Sequence, residues 1–169
     1  EYKGQHYFSM GLVDGQTLAT KLSQGALAPL AAARLVKQIC EAVHYAHEQG
    51  VIHRDLKPAN VLIGFDGKPH IADFGLARRV EGQDQLTVSG QIVGTPAYMP
   101  PEQAAGRVDQ VGATADVYSL GATLYACLTS RPPFQADKPT DTLMQVLERE
   151  PVSPRTLDPS VPRDLETIC

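Results

Sequence analysis

Cysteine is scarce in this chain, and the three that occur, Cys40, Cys127 and Cys169, lie far apart in the sequence. Three distant thiols do not make a disulfide framework or a cysteine zinc site, which fits a reducing compartment. The sequence also has no run of eighteen apolar residues and no signal peptide. Its formal net charge is −4, so nothing favours binding to nucleic acid or to an anionic membrane. We expect a cytoplasmic chain without nucleic-acid or membrane contacts of its own, although the full-length protein could be anchored outside this segment.

The composition is that of an ordinary soluble domain. The 169 residues are 43% hydrophobic and 20% charged, which is enough for one domain with a real core. The first residues already run into a predicted strand, and the last six indicate a helix that stops in mid-course. We therefore expect both ends to be cut from a longer domain.

The beginning of the chain has the alternation of a half-buried strand. Residues 5–13 place Phe8, Met10 and Leu12 on one side, and Asp14-Gly15 then turns the chain. Residues 51–52, 61–63 and those leading to Asp73 are short apolar runs between turn residues, which predicts short buried strands.

The remaining periodicity is helical. It predicts helices at residues 17–24, 28–49, 113–129 and 141–149, the third of them apolar nearly all round and therefore buried. His44 and His47 lie three apart on the second helix and could share a metal. No third ligand or acid pair accompanies them, which favours ordinary surface or packing histidines. Residues 76–103 show little periodicity, which is typical of a functional or mobile loop.

The stretch around which the chain is organised is residues 51–63, where two apolar runs flank a polar centre containing Asp55 and Asn60. Asp73 follows eighteen positions after Asp55, at the end of the next predicted strand. A tight strand–loop–strand unit would bring these three oxygen-bearing side chains together, and such groups bind a hard cation or a hydroxyl proton. The pattern favours phosphoryl transfer, in which a protein mainly positions groups and neutralises charge.

This stretch resembles the eukaryotic-type protein kinases, in their bacterial Ser/Thr form. The resemblance is carried by His53-Arg54-Asp55-Leu56 with Asn60 four residues on, by Asp73-Phe74-Gly75, and by Gly94-Thr95-Pro96-Ala97-Tyr98-Met99-Pro100-Pro101-Glu102. It implies a mainly α fold with short β-hairpins, similar to the C-terminal (large) lobe of a kinase. Residues 1–13 would be the last strand of the small lobe and the hinge. Residues 14–169 would be the large lobe, truncated before its final helices.

The resemblance implies a role for each polar residue of the central stretch. Asp55 would accept the proton of the attacking hydroxyl, and Lys57 would lie against the transferred phosphoryl oxygens. Asn60 and Asp73 would bind Mg²⁺. A lysine at position 57 is similar to Ser/Thr kinases and differs from tyrosine kinases.

The resemblance also implies an ATP site. Met10 would be the gatekeeper behind the adenine, with hydrogen bonds to its edge from the backbone of Gly11 and Val13. Thr17 would contact the ribose, and Leu62 would form the floor under the adenine. The family usually has Glu at the position of Gly11. The glycine of this chain would make the hinge looser.

Four further residues would support the site. His53 would pack under Phe74, and Asp116 would reach the backbone of the turn at His53 and Arg54. Arg54 could pair with a phosphorylated residue downstream.

The activation segment implied by the resemblance spans residues 76–103. Thr87 and Ser89 lie where phosphorylation commonly occurs, and Thr95 resembles the threonine that hydrogen-bonds Asp55 and Lys57. Glu102 is the anchoring acid, whose usual arginine partner would lie beyond residue 169, and Pro100 replaces the usual Ala.

The sequence therefore predicts a Ser/Thr protein kinase that uses ATP and Mg²⁺ and acts on protein substrates. No Gly-x-Gly-x-x-Gly occurs, so the small-lobe half of the ATP clamp is missing and the chain is expected to be inactive alone. Two alternatives stay open: a non-catalytic pseudokinase or scaffold, which should have lost Asp55, Lys57, Asn60 or Asp73, and a small-molecule phosphotransferase, which should lack the segment 94–102.

Overall fold

The structure, a computed structural model, describes residues 11–74 and 95–169. Within these ranges the chain is mainly helical, with one small sheet. The strands are β1 (Gly15–Thr17), β2 (Val61–Gly64) and β3 (Pro69–Ile71). The helices are α1 (Leu18–Leu22), α2 (Pro29–Glu48), α3 (Pro101–Ala104), α4 (Ala113–Thr129), α5 (Pro139–Glu148), α6 (Pro154–Leu157) and α7 (Arg163–Ile168). Short 3₁₀ turns cover Pro58–Asn60, Pro96–Tyr98 and Val108–Gln110.

The two long helices form the centre of the fold. Helix α2 begins at Pro29, whose fixed φ and missing N–H suit a first helical position, and it packs against α4. Ile39 and Val43 of α2 and Leu124 and Leu128 of α4 are each at most 4% exposed. Burial of each such side chain stabilises the fold by roughly 1.5–3 kcal/mol. The α2–α4 pair is therefore the rigid base on which the intervening loop rests.

The three strands form an antiparallel sheet in the order β1-β2-β3. Thr17 pairs with Leu62, and Val61 pairs with Ile71. A Cβ on residue 15 would collide with the carbonyl oxygen of Ile63, so glycine is required there. The sheet fixes both ends of the region from Asn60 to residue 72.

The start of the chain differs from the sequence prediction. Residues 5–10 of the predicted strand lie outside the described residues, and residues 11–14 are not a strand. Leu12, expected on the buried side, is 88% exposed. Ladder pairing begins only at Gly15, opposite Gly64, and no described residue covers Leu12.

One other prediction is wrong, and one is confirmed with narrower bounds. The predicted helix 17–24 is α1, which is shorter because residues 15–17 pair with β2 and Thr17 caps α1 by accepting the N–H of Thr20 at 3.0 Å. Residues 51–52 are not a strand, and Val51 is 41% exposed. Of the two apolar runs that flank loop 53–60, only the one after Asn60 pairs with a strand within the described ranges.

The longer helices are confirmed. Helices α2 and α4 match the predicted 28–49 and 113–129 closely, and α5 covers most of 141–149. The described end of loop 76–103 contains a 3₁₀ turn and α3. Among the described residues, no helix combines the length and the apolar character that crossing a bilayer requires.

Candidate active site

The loop of residues 53–60 is held from below by one buried carboxylate. Asp116, in the first turn of α4, is 1% exposed. Its Oδ2 accepts the N–H of His53 at 2.8 Å, and its Oδ1 accepts the N–H of Arg54 at 2.8 Å. A buried carboxylate is costly unless donors surround it, and these two amides are such donors. Asp116 therefore fixes the beginning of the loop to the central helix.

The sequence does not predict a third donor to this carboxylate. His47, near the end of α2, places Nε2 2.7 Å from Oδ2 of Asp116, and its side chain is 17% exposed. His44, one turn earlier, instead lies 3.7 Å from Glu48 on the surface. Periodicity places both histidines on one helix, but only the tertiary packing of α2 on α4 distinguishes them.

His53 occupies the middle of the site as a fully buried side chain, 0% exposed. Its Nε2 lies 2.9 Å from the carbonyl oxygen of Ala72, and its Nδ1 accepts the N–H of Asp55 at 3.3 Å. A carbonyl only accepts and an amide N–H only donates, so the ring is the neutral tautomer with its proton on Nε2. The ring lies 4.7 Å from that of Phe74, between centroids, at 58°. His53 thus joins the loop to the segment that carries Asp73.

The side chains of Asp55, Lys57 and Asn60 form a hydrogen-bonded cluster. Lys57 donates from Nζ to both carboxylate oxygens of Asp55, at 3.0 Å to Oδ1 and 2.7 Å to Oδ2. Asn60 donates from Nδ2 to the backbone oxygen of Asp55 at 2.8 Å and to its Oδ2 at 3.0 Å. Both partners of Nδ2 are acceptors, so the amide orientation is determined, and Oδ1 remains as the acceptor of Asn60. Asp55 is thereby held in one orientation while its side chain stays 44% exposed.

Asp73 follows directly on residues that contact this cluster. The N–H of Ala72 donates to the backbone oxygen of Asn60 at 2.9 Å, so the backbone of Asp73 is next to that of Asn60. Asp73 is exposed and has a φ of 64°, and Arg54, next to Asp55 in the loop, has a φ of 67°. Left-handed conformations are uncommon in residues other than glycine and concentrate at functional sites.

The predicted nucleotide contacts are only partly within the described chain. Met10 lies outside the described residues, whereas Gly11 and Val13 precede β1. Thr17 and Leu62 are direct cross-strand partners on β1 and β2. The Oγ1 of Thr17 already caps α1 and lies 2.9 Å from Oγ1 of Thr20.

The predicted activation segment is also only partly described. Thr87 and Ser89 lie outside the described residues. Thr95 lines a small cavity beside Asp55, but among the described residues no hydrogen bond joins it to Asp55 or Lys57. The ammonium of Lys57 is instead directed at Asp55, the nearest carboxylate.

The rest of this segment packs onto the helices. Glu102 lies half-buried on α3. Tyr98 accepts the hydroxyl proton of Ser119 at its carbonyl oxygen, at 3.0 Å. Burial, with a smaller contribution from Cys127, raises the pKa of the Tyr98 phenol to about 12.

Asn60 and Asp73 are the side chains suited to a divalent cation. No cluster of three histidine, cysteine, aspartate or glutamate side chains arranged for a metal occurs in residues 11–74 and 95–169. Mg²⁺ does not need one, because it is usually held by one or two protein oxygens together with substrate phosphates and water. A neutral amide oxygen and a carboxylate fit that pattern.

Comparison with known proteins identifies the family. A model of the protein kinase domain matches residues 1–166. The chain is 37% identical over 163 residues to the serine/threonine-protein kinase PknB of Mycobacterium leprae, covering 96% of this chain and 26% of that protein. It is 44% identical over 163 residues to the serine/threonine-protein kinase PkaA of Streptomyces coelicolor, covering 94% of this chain and 29% of that protein. The chain spans between a quarter and a third of the length of these relatives, and it belongs to the protein kinase family.

Proposed function

We propose that the protein transfers the γ-phosphate of ATP to serine or threonine hydroxyls of protein substrates, using Asp55, Lys57, Asn60 and Asp73. The observation that carries the proposal is the cluster at Asp55, whose carboxylate receives Lys57 Nζ at 2.7 Å and Asn60 Nδ2 at 3.0 Å while remaining accessible. The names of the relatives, all Ser/Thr kinases, support the choice of acceptor.

Asp55 orients the attacking hydroxyl and receives its proton. The carboxylate is held by two donors from the protein, so it does not have to reorganise when the hydroxyl arrives. A fixed carboxylate within hydrogen-bond reach of the hydroxyl is the arrangement that general-base catalysis requires.

Lys57 supplies positive charge beside Asp55. An ammonium has three donors, and two of them reach the Asp55 carboxylate. The third remains for a phosphoryl oxygen, so Lys57 can contact the transferred group without leaving Asp55.

Asn60 and Asp73 would hold the magnesium ion. Because Asn60 uses Nδ2 on Asp55, its Oδ1 is the atom offered to a cation. Asp73 would add the charged oxygen. When bound, Mg²⁺ would neutralise charge on the ATP phosphates. Positioning and such electrostatic stabilisation account for almost all of the catalysis of phosphoryl transfer.

We assign residues 14–169 to the large lobe and residues 1–13 to the last small-lobe strand and the hinge. On this assignment Gly11, Val13, Thr17 and Leu62 surround the adenosine, with Met10 behind it. The chain has no Gly-x-Gly-x-x-Gly to cover the phosphates. We therefore infer that the 169-residue chain transfers phosphate weakly or not at all unless other residues supply that half of the clamp.

The proposal is tested with the protein expressed from its complete reading frame. Transfer of labelled γ-phosphate from ATP and Mg²⁺ to a Ser/Thr peptide is followed for the wild type, for Asp55→Ala and for Asp66→Ala. Asp66 is a matched control, because it lies in an exposed turn. We expect Asp55→Ala to lower kcat by about 10²-fold or more and Asp66→Ala to leave it unchanged. No transfer by the wild type would favour a non-catalytic scaffold, whereas undiminished transfer by Asp55→Ala would contradict the role proposed for Asp55.

A further inference from the structure

Segment 95–99 is attached to α4 by a side chain that the sequence does not single out. Ser119 lies three residues after Asp116 on this helix and is 4% exposed. Its Oγ donates to the carbonyl oxygen of Tyr98 at 3.0 Å. Residues three apart on a helix are neighbours on its surface. The part of α4 that holds the start of loop 53–60 through Asp116 therefore also holds segment 95–99 through Ser119.

The bond from Ser119 fixes the orientation of the peptide group between Tyr98 and Met99. The carbonyl oxygen of this group accepts from Ser119, and its N–H, which belongs to Met99, donates to the carbonyl oxygen of Pro96 at 3.1 Å. The Tyr98 side chain packs against the hydrophobic core. The side chain thus holds the position of Tyr98, whereas the Ser119 bond determines which way the following peptide group faces.

Segment 95–99 lies beside the proposed base. Thr95, Tyr98 and Met99 line the small cavity that Asp55 and Ser119 also line. A change in the orientation of the Tyr98–Met99 peptide group would therefore be made next to Asp55. On the proposed function, this is where the acceptor hydroxyl has to be placed, and small misplacements of a reacting group lower the rate.

The hydroxyl of Ser119 has one proton and two acceptors within reach. Besides the carbonyl oxygen of Tyr98, that of Ala115 lies 3.1 Å from Oγ. Ala115 is four residues earlier in α4, and serine hydroxyls in helices can donate to the carbonyl at that position. If segment 95–99 shifts, Ala115 can accept the proton, so the serine does not become a buried donor without a partner. The attachment is therefore reversible, and its loss should have a moderate effect.

We propose that Ser119 is a positioning residue for the peptide substrate, because its bond to Tyr98 holds segment 95–99 in place relative to loop 53–60. This inference rests on the proposed function for its kinetic half. Ser119 acts through the Tyr98–Met99 peptide group and does not touch the reacting atoms. The proposed adenosine contacts, Thr17 and Leu62, lie on the sheet and do not line the cavity. The binding of ATP should therefore not depend on Ser119.

The test compares the wild type with Ser119→Ala, Ser119→Cys and Thr129→Val, all expressed from the complete reading frame. Alanine removes the hydroxyl, and cysteine fills its space with a weak donor. Thr129 is the matched control, because its Oγ1 also donates to the carbonyl four residues earlier, that of Tyr125, at 2.8 Å, but at the opposite end of α4. Amide hydrogen exchange in segment 95–99 measures the attachment. The kcat and KM values for peptide and ATP measure its consequence.

Amide exchange in segment 95–99 should become about two- to tenfold faster in Ser119→Ala and in Ser119→Cys, the change expected for the loss of one hydrogen bond. The specificity constant for the peptide should fall about three- to tenfold in both variants, with the KM for ATP within about twofold of wild type. Thr129→Val should match the wild type in the exchange of segment 95–99 and in the kinetics.

The inference is overturned if exchange in segment 95–99 is unchanged in the Ser119 variants, or if Thr129→Val accelerates it equally. It is also overturned if Ser119→Cys behaves like the wild type, since packing and not the hydrogen bond would then hold the segment, or if the loss of activity appears in the KM for ATP. A wild-type protein that transfers no phosphate would contradict the proposed function and with it the kinetic role, whereas hydrogen exchange decides the attachment by itself. If one Ser119 variant does not fold, the other decides.

Discussion

His47 and Asp116 lie 69 residues apart in the sequence, and their Nε2 and Oδ2 atoms are 2.7 Å apart. The contact joins the end of α2 to the beginning of α4. The same carboxylate receives the N–H groups of His53 and Arg54, each at 2.8 Å. The start of loop 53–60 is thus tied to both long helices through one buried side chain, so its position depends on their packing.

Removing this carboxylate should weaken the whole fold. In Asp116→Ala the N–H groups of His53 and Arg54 lose their acceptor, and the free energy of unfolding should fall by about 3 kcal/mol or more. Urea unfolding of the purified protein measures this. Asp141→Ala is the matched control, because Asp141 also lies in the first turn of its helix but is exposed, and it should cost less than about 1 kcal/mol. Equal losses in the two variants would contradict the role given to Asp116.

The His47–Asp116 contact should appear as an energetic coupling. We expect His47→Phe to lower the free energy of unfolding by about 1–3 kcal/mol, because Asp116 loses a donor. A double-mutant cycle with Asp116→Asn should give a coupling of about 0.5–3 kcal/mol. His44→Phe, at a side chain 76% exposed, should change stability by less than about 0.5 kcal/mol and show no coupling. Additive effects of His47→Phe and Asp116→Asn would show that the contact contributes nothing.

The long helices could be predicted from the sequence, whereas the pairing of β1 with β2 could not. Helices α2 and α4 extend over several turns, so their periodicity and terminal signals suffice. Strand β1 has three residues, one of them glycine, and forms only because β2 lies beside it. The predicted strand at residues 51–52 fails for the converse reason, since no described strand pairs with it.

The residues of the candidate site likewise divide into those that the sequence predicts and those that it does not. Spacing in the sequence predicts Asp55, Asn60 and Asp73 as site residues, whereas the resemblance to the protein kinases implies Lys57 and Asp116. The sequence favours an ordinary surface or packing role for His47, and the structure shows packing. Neither periodicity nor spacing indicates its partner, because the two residues lie 69 positions apart.

Alkaline pH should destabilise the protein through Tyr98. Burial raises the pKa of Tyr98 from 10.0 to about 12. The unfolded phenol therefore loses its proton before the folded one, so the stabilisation is complete below pH 10 and is lost as the pH rises towards 12. Between pH 10 and 11 the free energy of unfolding should fall more steeply in the wild type than in Tyr98→Phe, by up to about 1.4 kcal/mol per pH unit.

Tyr45→Phe controls for this experiment, because Tyr45 is 65% exposed. Its slope with pH should equal that of the wild type. Urea unfolding at several pH values measures all three slopes, and identical slopes for the wild type and Tyr98→Phe would contradict the prediction.

The end of α4 offers a stabilising substitution. Ser130 caps this helix with a φ of 59°, a left-handed conformation that glycine adopts without a steric penalty. Ser130→Gly should raise the free energy of unfolding by about 0.5–1 kcal/mol, and Ser130→Ala should bring no gain, because alanine retains the Cβ. Thermal unfolding of both variants checks this, and an equal Tm for the two would show that the backbone conformation costs nothing.

The most direct test of the account is a crystal structure of the protein, expressed from its complete reading frame, with Mg²⁺ and a non-hydrolysable ATP analogue. We predict that Asn60 Oδ1 and a carboxylate oxygen of Asp73 both coordinate magnesium, at about 2.0–2.1 Å, with Asp55 facing the terminal phosphate. A magnesium-bound nucleotide held without Asn60 and Asp73, or oxygens of these residues pointing to separate surfaces, would contradict it.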